Sequence, residues 1–186
     1  MLVSEIQLRQ ELGQMGEFIR SITAEEFSQQ GHSLTGKSLK SIKYKVSKQS
    51  KTWTIEISHA GHMSYLNTGV PADRVAYTRN SGAGKSAFIA ALIKWVKLRG
   101  IAKGFTKSKS IAFAIANTMK KEGIPTKGSF EFTKNGRRTG WLDQPINKQE
   151  TKIEEKLEEV YCDFIAAKLE EKINRLVEKY ENVYAL

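Results

Sequence analysis

The stretch SLKSIKYKVSKQSKTWTIEIS, positions 38–58, decides the fold. Ile42, Tyr44 and Val46 alternate with Lys43, Lys45 and Ser47, and Trp53, Ile55 and Ile57 alternate with Thr54, Glu56 and Ser58. A period of two places one face of each strand on a core and leaves the other polar, and the Lys48-Gln49-Ser50-Lys51 tract between them reads as a hairpin turn. Leu39 and Ile42 are read as the start of the first strand. A two-stranded hairpin does not bury enough surface to stand alone, so it predicts helices packed on its apolar face.

Those helices are legible on either side. Leu8, Leu12, Met15, Ile19 and Ile22 recur at spacings of 4, 3, 4 and 3, with Phe18 broadening the stripe, which predicts a helix over 4–29 ended by Gly31. Gly13 and Gly16 interrupt it at a cost of about 1 kcal/mol each relative to alanine, a cost worth bearing if another backbone approaches closely there. At the other end, 147–181 reads as one long helix. Ile153, Leu157, Val160, Phe164, Ile165, Leu169, Ile173, Leu176 and Tyr180 lie on or near one stripe, with Glu154 and Glu158 near Lys152 and Lys156 at pairing distance. The expected class is α+β: a small antiparallel sheet packed by a long N-terminal and a long C-terminal helix.

Between the hairpin and the last helix lies an insertion. Residues 59–85 show no period and read as a long loop. Phe88, Ile89, Leu92, Ile93, Trp95 and Val96 predict a compact helix over 86–99 closed by Gly100. Ile111, Phe113, Ile115 and Met119 among alanines predict a second over 106–122, stopped by Gly123 and Pro125. Phe130-Glu131-Phe132-Thr133 and Arg137-Arg138-Thr139-Gly140-Trp141, across Asn135-Gly136, read as a second hairpin or as an extended arm. The 186 residues read as a single domain, with 1–70 and 146–186 expected as its core and 71–145 as loop, two-helix insertion and possible extended arm.

The net charge of +10 is unevenly placed. Met1 to Thr35 holds two basic and five acidic residues, Gly36 to Gly140 twenty-one and four, and Trp141 to Leu186 seven and eleven. A basic middle between acidic ends attracts a polyanion or meets the acidic face of a neighbouring subunit. Within it, basic residues surround aromatics: Lys94, Lys97 and Arg99 around Trp95, then Lys103, Lys107 and Lys109 around Phe105, and Arg137 and Arg138 before Trp141. These, with Phe88 on the apolar helix over 86–99, are the candidate interaction residues. No helix-turn-helix, zinc finger or RNA-binding strand pair accompanies them, so any DNA contact is to phosphates, without base readout.

No catalytic constellation emerges, and the chain reads as no enzyme, with no cofactor or metal. Ser81-Gly82-Ala83-Gly84-Lys85-Ser86 resembles a phosphate loop, but that motif needs glycine where Arg79 stands, so it reads instead as a loop capping a helix with Ser86 near its start. His59 and His62 lack the further ligands of a metal site, and His32 is the remaining histidine. The single cysteine, Cys162, excludes an internal disulfide and reads as buried in the last helix. No apolar run approaches the roughly 20 residues of a membrane span, and the N-terminus lacks a signal pattern, so the chain reads as soluble and unexported.

Thr35-Gly36-Lys37-Ser38-Leu39-Lys40-Ser41-Ile42 and Tyr65-Leu66-Asn67-Thr68-Gly69 resemble segments of the small neck and tail-completion proteins of tailed bacteriophages, also called tail-component proteins. The likeness covers about the first hundred residues and the last helix. Residues 75–125, with Ile111-Ala112-Phe113-Ala114-Ile115-Ala116-Asn117, resemble structural proteins of crAss-like phages. The resemblance implies a noncatalytic virion subunit, made in the host bacterial cytoplasm, that closes into a sixfold or twelvefold ring around the DNA channel. Its partners would be further copies of itself, the portal, and other neck and tail proteins. The alternative is a DNA-associated basic protein that binds nonspecifically and forms no ring.

Overall fold

A computed structural model describes residues 5–78 and 86–184, with side chains to Glu178. In order, the elements are α1 (Glu5–Gln29), α2 (Lys37–Ser41), β1 (Lys43–Gln49), β2 (Thr52–Ser58), α3 (His62–Thr68), a 3-10 turn (Ala72–Arg74), α4 (Ala87–Leu98), α5 (Phe105–Glu122), α6 (Asp143–Lys148) and α7 (Glu150–Tyr184). The fold is α+β. The residues group into two compact units, one of Met1–Ile22, Lys43–Ser58 and Pro145–Leu186, the other of Thr23–Ile42 and His59–Gln144.

The first unit is the hairpin with its two long helices. β1 and β2 pair antiparallel with Tyr44 opposite Ile57, Val46 opposite Ile55 and Lys48 opposite Trp53. The connection is the two-residue Ser50-Lys51 turn, with Ser50 at φ 56°, the positive backbone angle that tight hairpins require. Val46, Trp53 and Ile55 pack with Leu8 and Leu12 of α1 and with Leu157, Val160 and Phe164 of α7. Leu8 and Leu12 are buried beside Val160, while Phe18 lies under the Lys152 ammonium at 4.9 Å, so α1 and α7 run antiparallel. Lys48 pairs with Glu5 at 2.7 Å.

Two readings are corrected in this region. Leu39 does not begin a strand: Gly36, at φ 72°, opens the short helix α2, and the chain turns extended only at Ile42. The last helix is two helices, α6 and α7, separated at Gln149.

The second unit is built on α4 and α5. Ile89, Leu92, Ala112 and Ala116 are buried with Val75 and Tyr77, and Phe88, Ile93, Phe113, Ile115 and Met119 pack around them. Alanine at both α5 positions lets the helices approach closely. Ser86 caps α4, its Oγ accepting from the Ile89 N–H at 3.1 Å. α1 and α4 end alike: the amides of Gly31 and His32 bond to the carbonyls of Ser28 and Phe27, and those of Gly100 and Ile101 to Lys97 and Val96. Both are the glycine-terminated Schellman arrangement.

The expected loop over 59–85 is corrected for its described part: α3 and the 3-10 turn occupy it, and Val70 bridges Ile124 through amide–carbonyl bonds of 2.7 and 2.8 Å. Arg79 and the Ser81–Lys85 stretch lie outside the described residues. No second hairpin or extended arm forms over 129–141. Gly128, Gly136 and Gly140 all take positive φ, and Ser129 N–H bonds to Gly136 O at 2.9 Å, giving a chain of turns. Among the described residues, no helix is long and apolar enough to cross a membrane.

Candidate interaction surface

The eleven residues singled out in the sequence separate into three groups. Trp141 is fully buried. Its ring meets Phe27 edge-on at 5.1 Å and His59 at 5.3 Å, and its indole N–H donates to Met63 O at 3.1 Å. Phe88 and Trp95 are half-buried, with Phe88 packed against the α4–α5 core. Of the other apolar residues of α4, Ile89, Leu92 and Val96 are buried and Ile93 packs against the same core.

Three arginines serve helix ends. Arg99 donates to Gly31 O at 2.7 Å and Arg138 to Gln30 O at 3.4 Å, both at the C-terminus of α1, while Arg137 donates to Glu122 O at 3.3 Å at the end of α5. The last carbonyls of a helix have no intrahelical donors and carry partial negative charge, so a guanidinium there satisfies them. Arg99 also lies over the Trp95 ring at 5.8 Å and Arg138 over Phe132 at 5.1 Å. Burial, followed by the nearby Arg99 charge, pulls the Arg138 guanidinium below its ordinary range.

The lysines are different. Lys94, Lys97, Lys103 and Lys107 are exposed and Lys109 half-buried, spread over the end of α4, the 99–104 connection and the first turn of α5. This α4–α5 tip also exposes Leu98 (54%), Ile101 (48%) and Phe105 (60%), which the sequence pattern did not single out as a group. Lys97 lies over the Phe105 ring at 5.4 Å. Apolar side chains left in water beside unpaired ammonium groups form a surface that a partner gains by covering.

Each of the three histidines is held by neighbouring side chains or backbone. His32 is held by Gln30 Oε1 and Arg138 O, each at 3.1 Å, His59 by Ala60 O at 3.1 Å, and His62 by Ser38 Oγ at 3.2 Å. Among the described residues, no three His, Cys, Asp or Glu side chains could share a metal ion. A groove of about 390 Å³ between α1 and α7 is lined by Met15, Phe18, Glu11, Lys152 and Glu155 among others, and offers no thiol, imidazole or hydroxyl nucleophile. Cys162 is exposed, not buried as its apolar neighbours suggested.

The segment quoted for the phage resemblance has a clear structural part. Asn67 accepts from the Leu142 N–H and donates to Asp143, and its carbonyl accepts from Gly140 N–H, so it clamps the chain entering α6. Gly69, at φ 81°, makes the turn after it. Compared with models of protein families, with curated proteins and with solved structures, the chain matches none.

Proposed function

We propose that this protein is a noncatalytic, self-assembling structural subunit, a ring-forming component of a tailed-bacteriophage neck or tail through which DNA passes. The observation that carries self-assembly is the α4–α5 tip, where Leu98, Ile101 and Phe105 stand exposed among Lys94, Lys97, Lys103 and Lys107. A head-to-tail ring joins two different faces of each subunit. The acidic first half of α7, with Glu154, Glu155, Glu158 and Glu159, has the charge to meet that tip on a neighbouring copy. The phage assignment rests on the resemblance of the 35–42 and 65–69 segments to neck and tail-completion proteins.

The same lysines favour a second reading, a small species that holds DNA by its phosphates. Light scattering of the purified chain at several salt concentrations separates them. A large discrete oligomer supports the ring; a monomer or dimer whose DNA affinity falls steeply with salt overturns it in favour of the second reading. Changing Lys94, Lys97, Lys103 and Lys107 together to glutamate is expected to abolish the oligomer with the circular dichroism spectrum unchanged. Arg99 is left intact in that variant because Arg99→Ala removes a bond to Gly31 O and is expected to cost about 1–2 kcal/mol of stability.

A further inference from the structure

α7 has two apolar faces. At about 100° per residue, Ile153, Val160, Phe164 and Ala167 share the side that packs on α1 and the hairpin, whereas Ile165, Leu169, Ile173, Leu176 and Val177 gather on the opposite side. Those five are each 46–57% exposed, and Cys162 lies exposed on the same side. With Phe18 beside Lys152 and Leu8 beside Val160 on antiparallel helices of equal rise, α7 from Leu169 onward has passed Glu5, the first described residue of α1. The remaining 169–184 stretch is about 24 Å long at 1.5 Å per residue.

The spacing of Leu169, Ile173 and Leu176 is 4 then 3, the seam of a coiled coil, and Cys162 falls seven positions before Leu169 at the same seam position. The seam has edges of opposite sign. Lys168, Lys172 and Arg175 border it on one side, Asp163 and Glu170 on the other. Lys168 and Arg175 also reach Glu171 around the helix. When two such helices face each other in parallel, the basic edge of one lies along the acidic edge of the other; when they are antiparallel, like edges meet. Unequal edges that match only in parallel also suit closure around a rotation axis.

We infer that the outward face of α7 from Cys162 to Val177 docks on the same face of a second copy of this chain, helix beside helix and in parallel. The inference deepens the self-assembly reading and rests on it. Five half-exposed aliphatic side chains make a patch of several hundred Å², and two copies together cover on the order of 1,000 Å², the lower range of specific interfaces. Toward the start of α7 the same side carries Glu155, Glu158 and Glu159, which repel their counterparts and end the seam at Cys162. The core of the first unit lies behind each helix and leaves the seam open.

The test uses the full chain. Light scattering gives its mass, and mild oxidation followed by a non-reducing gel reports whether two Cys162 thiols meet. The expected result is an oligomer, a Cys162 disulfide between copies, and loss of both in Ile173→Lys/Leu176→Lys with the dissociation constant raised at least about 100-fold. These side chains are exposed in the single chain, so circular dichroism should not change. An oligomer that forms unaltered in the double variant overturns the seam while leaving self-assembly standing. An oligomer lost in that variant but lacking the disulfide overturns the parallel arrangement, because antiparallel pairing of 162–177 sets the two thiols about 20 Å apart. An unaltered chain that stays monomeric at every concentration overturns self-assembly itself.

Discussion

Trp141 and Met63, 78 positions apart in the chain, are joined by an indole N–H to carbonyl bond of 3.1 Å inside the second unit. The bond fixes where the turn-rich 129–141 segment returns to the fold. Phe27 and His59 complete an aromatic group around the indole, each edge-on to it. Such contacts add to the large apolar area that a buried tryptophan removes from water.

Trp141→Phe keeps most of that area and removes the indole bond to Met63 O. A loss of about 0.5–1.5 kcal/mol is expected from the missing hydrogen bond. Trp141→Ala adds a cavity and should cost about 3–5 kcal/mol. Urea unfolding of both variants, followed by circular dichroism, checks the order. An unchanged stability in Trp141→Phe would show that the hydrogen bond contributes nothing and that packing alone anchors the segment.

His32 makes stability depend on pH. Its Nε2 faces two oxygens, Gln30 Oε1 and Arg138 O, so that nitrogen carries the proton in the neutral ring. Burial first, and then the charge of Arg138, pushes its pKa down from 6.5 to about 4, with Arg99 adding to the effect and the bond to Arg138 O opposing it. Between pH 6.5 and 4 the unfolded chain binds a proton that the folded chain refuses, so stability falls as pH falls through that window and levels off below it. The drop attributable to His32 should be on the order of 2 kcal/mol, reduced by the ring's remaining exposure to water. His32→Gln should flatten the slope in urea titrations at pH 4, 5.5 and 7. An NMR titration placing the His32 midpoint near 6.5 in the folded protein would contradict this.

The hairpin was readable because half-buried strands alternate by two, and Tyr44, Val46, Trp53 and Ile55 do so without interruption. The last helix shows why periodicity alone stops short. Phe164 and Ile165 are neighbours on or near one stripe in the sequence, yet one faces the core and the other water, since the apolar pattern does not say where α1 begins. Charge was similarly ambiguous. Arg99, Arg137 and Arg138 counted toward a basic field together with the lysines, but their donors go to carbonyls at the ends of α1 and α5, a pairing set by tertiary approach. Met63 and Leu66 were too few to reveal the two turns of α3. Positive φ at Gly136 and Gly140 turned an apparent hairpin into successive turns.

The two glycines of α1 were read alike and differ in the structure. A Cβ on Gly13 would meet nothing within 4 Å, whereas one on Gly16 would lie 2.5 Å from Cδ2 of Tyr44, whose ring packs on the bare backbone. The approach at Gly16 is thus made by a side chain of β1 and not by another backbone, and at Gly13 there is none. Gly13→Ala removes the backbone-entropy cost of glycine in a helix and should stabilise the protein by about 1 kcal/mol. Gly16→Ala gains the same helix preference but must displace the ring, for a net loss of about 1–2 kcal/mol. Pairing Gly16→Ala with Tyr44→Val vacates the space the methyl needs, so the double variant should be more stable than the sum of the two single losses allows. Urea unfolding of the four proteins measures that coupling, and strict additivity would mean that Tyr44 yields freely and that Gly16 serves no packing purpose.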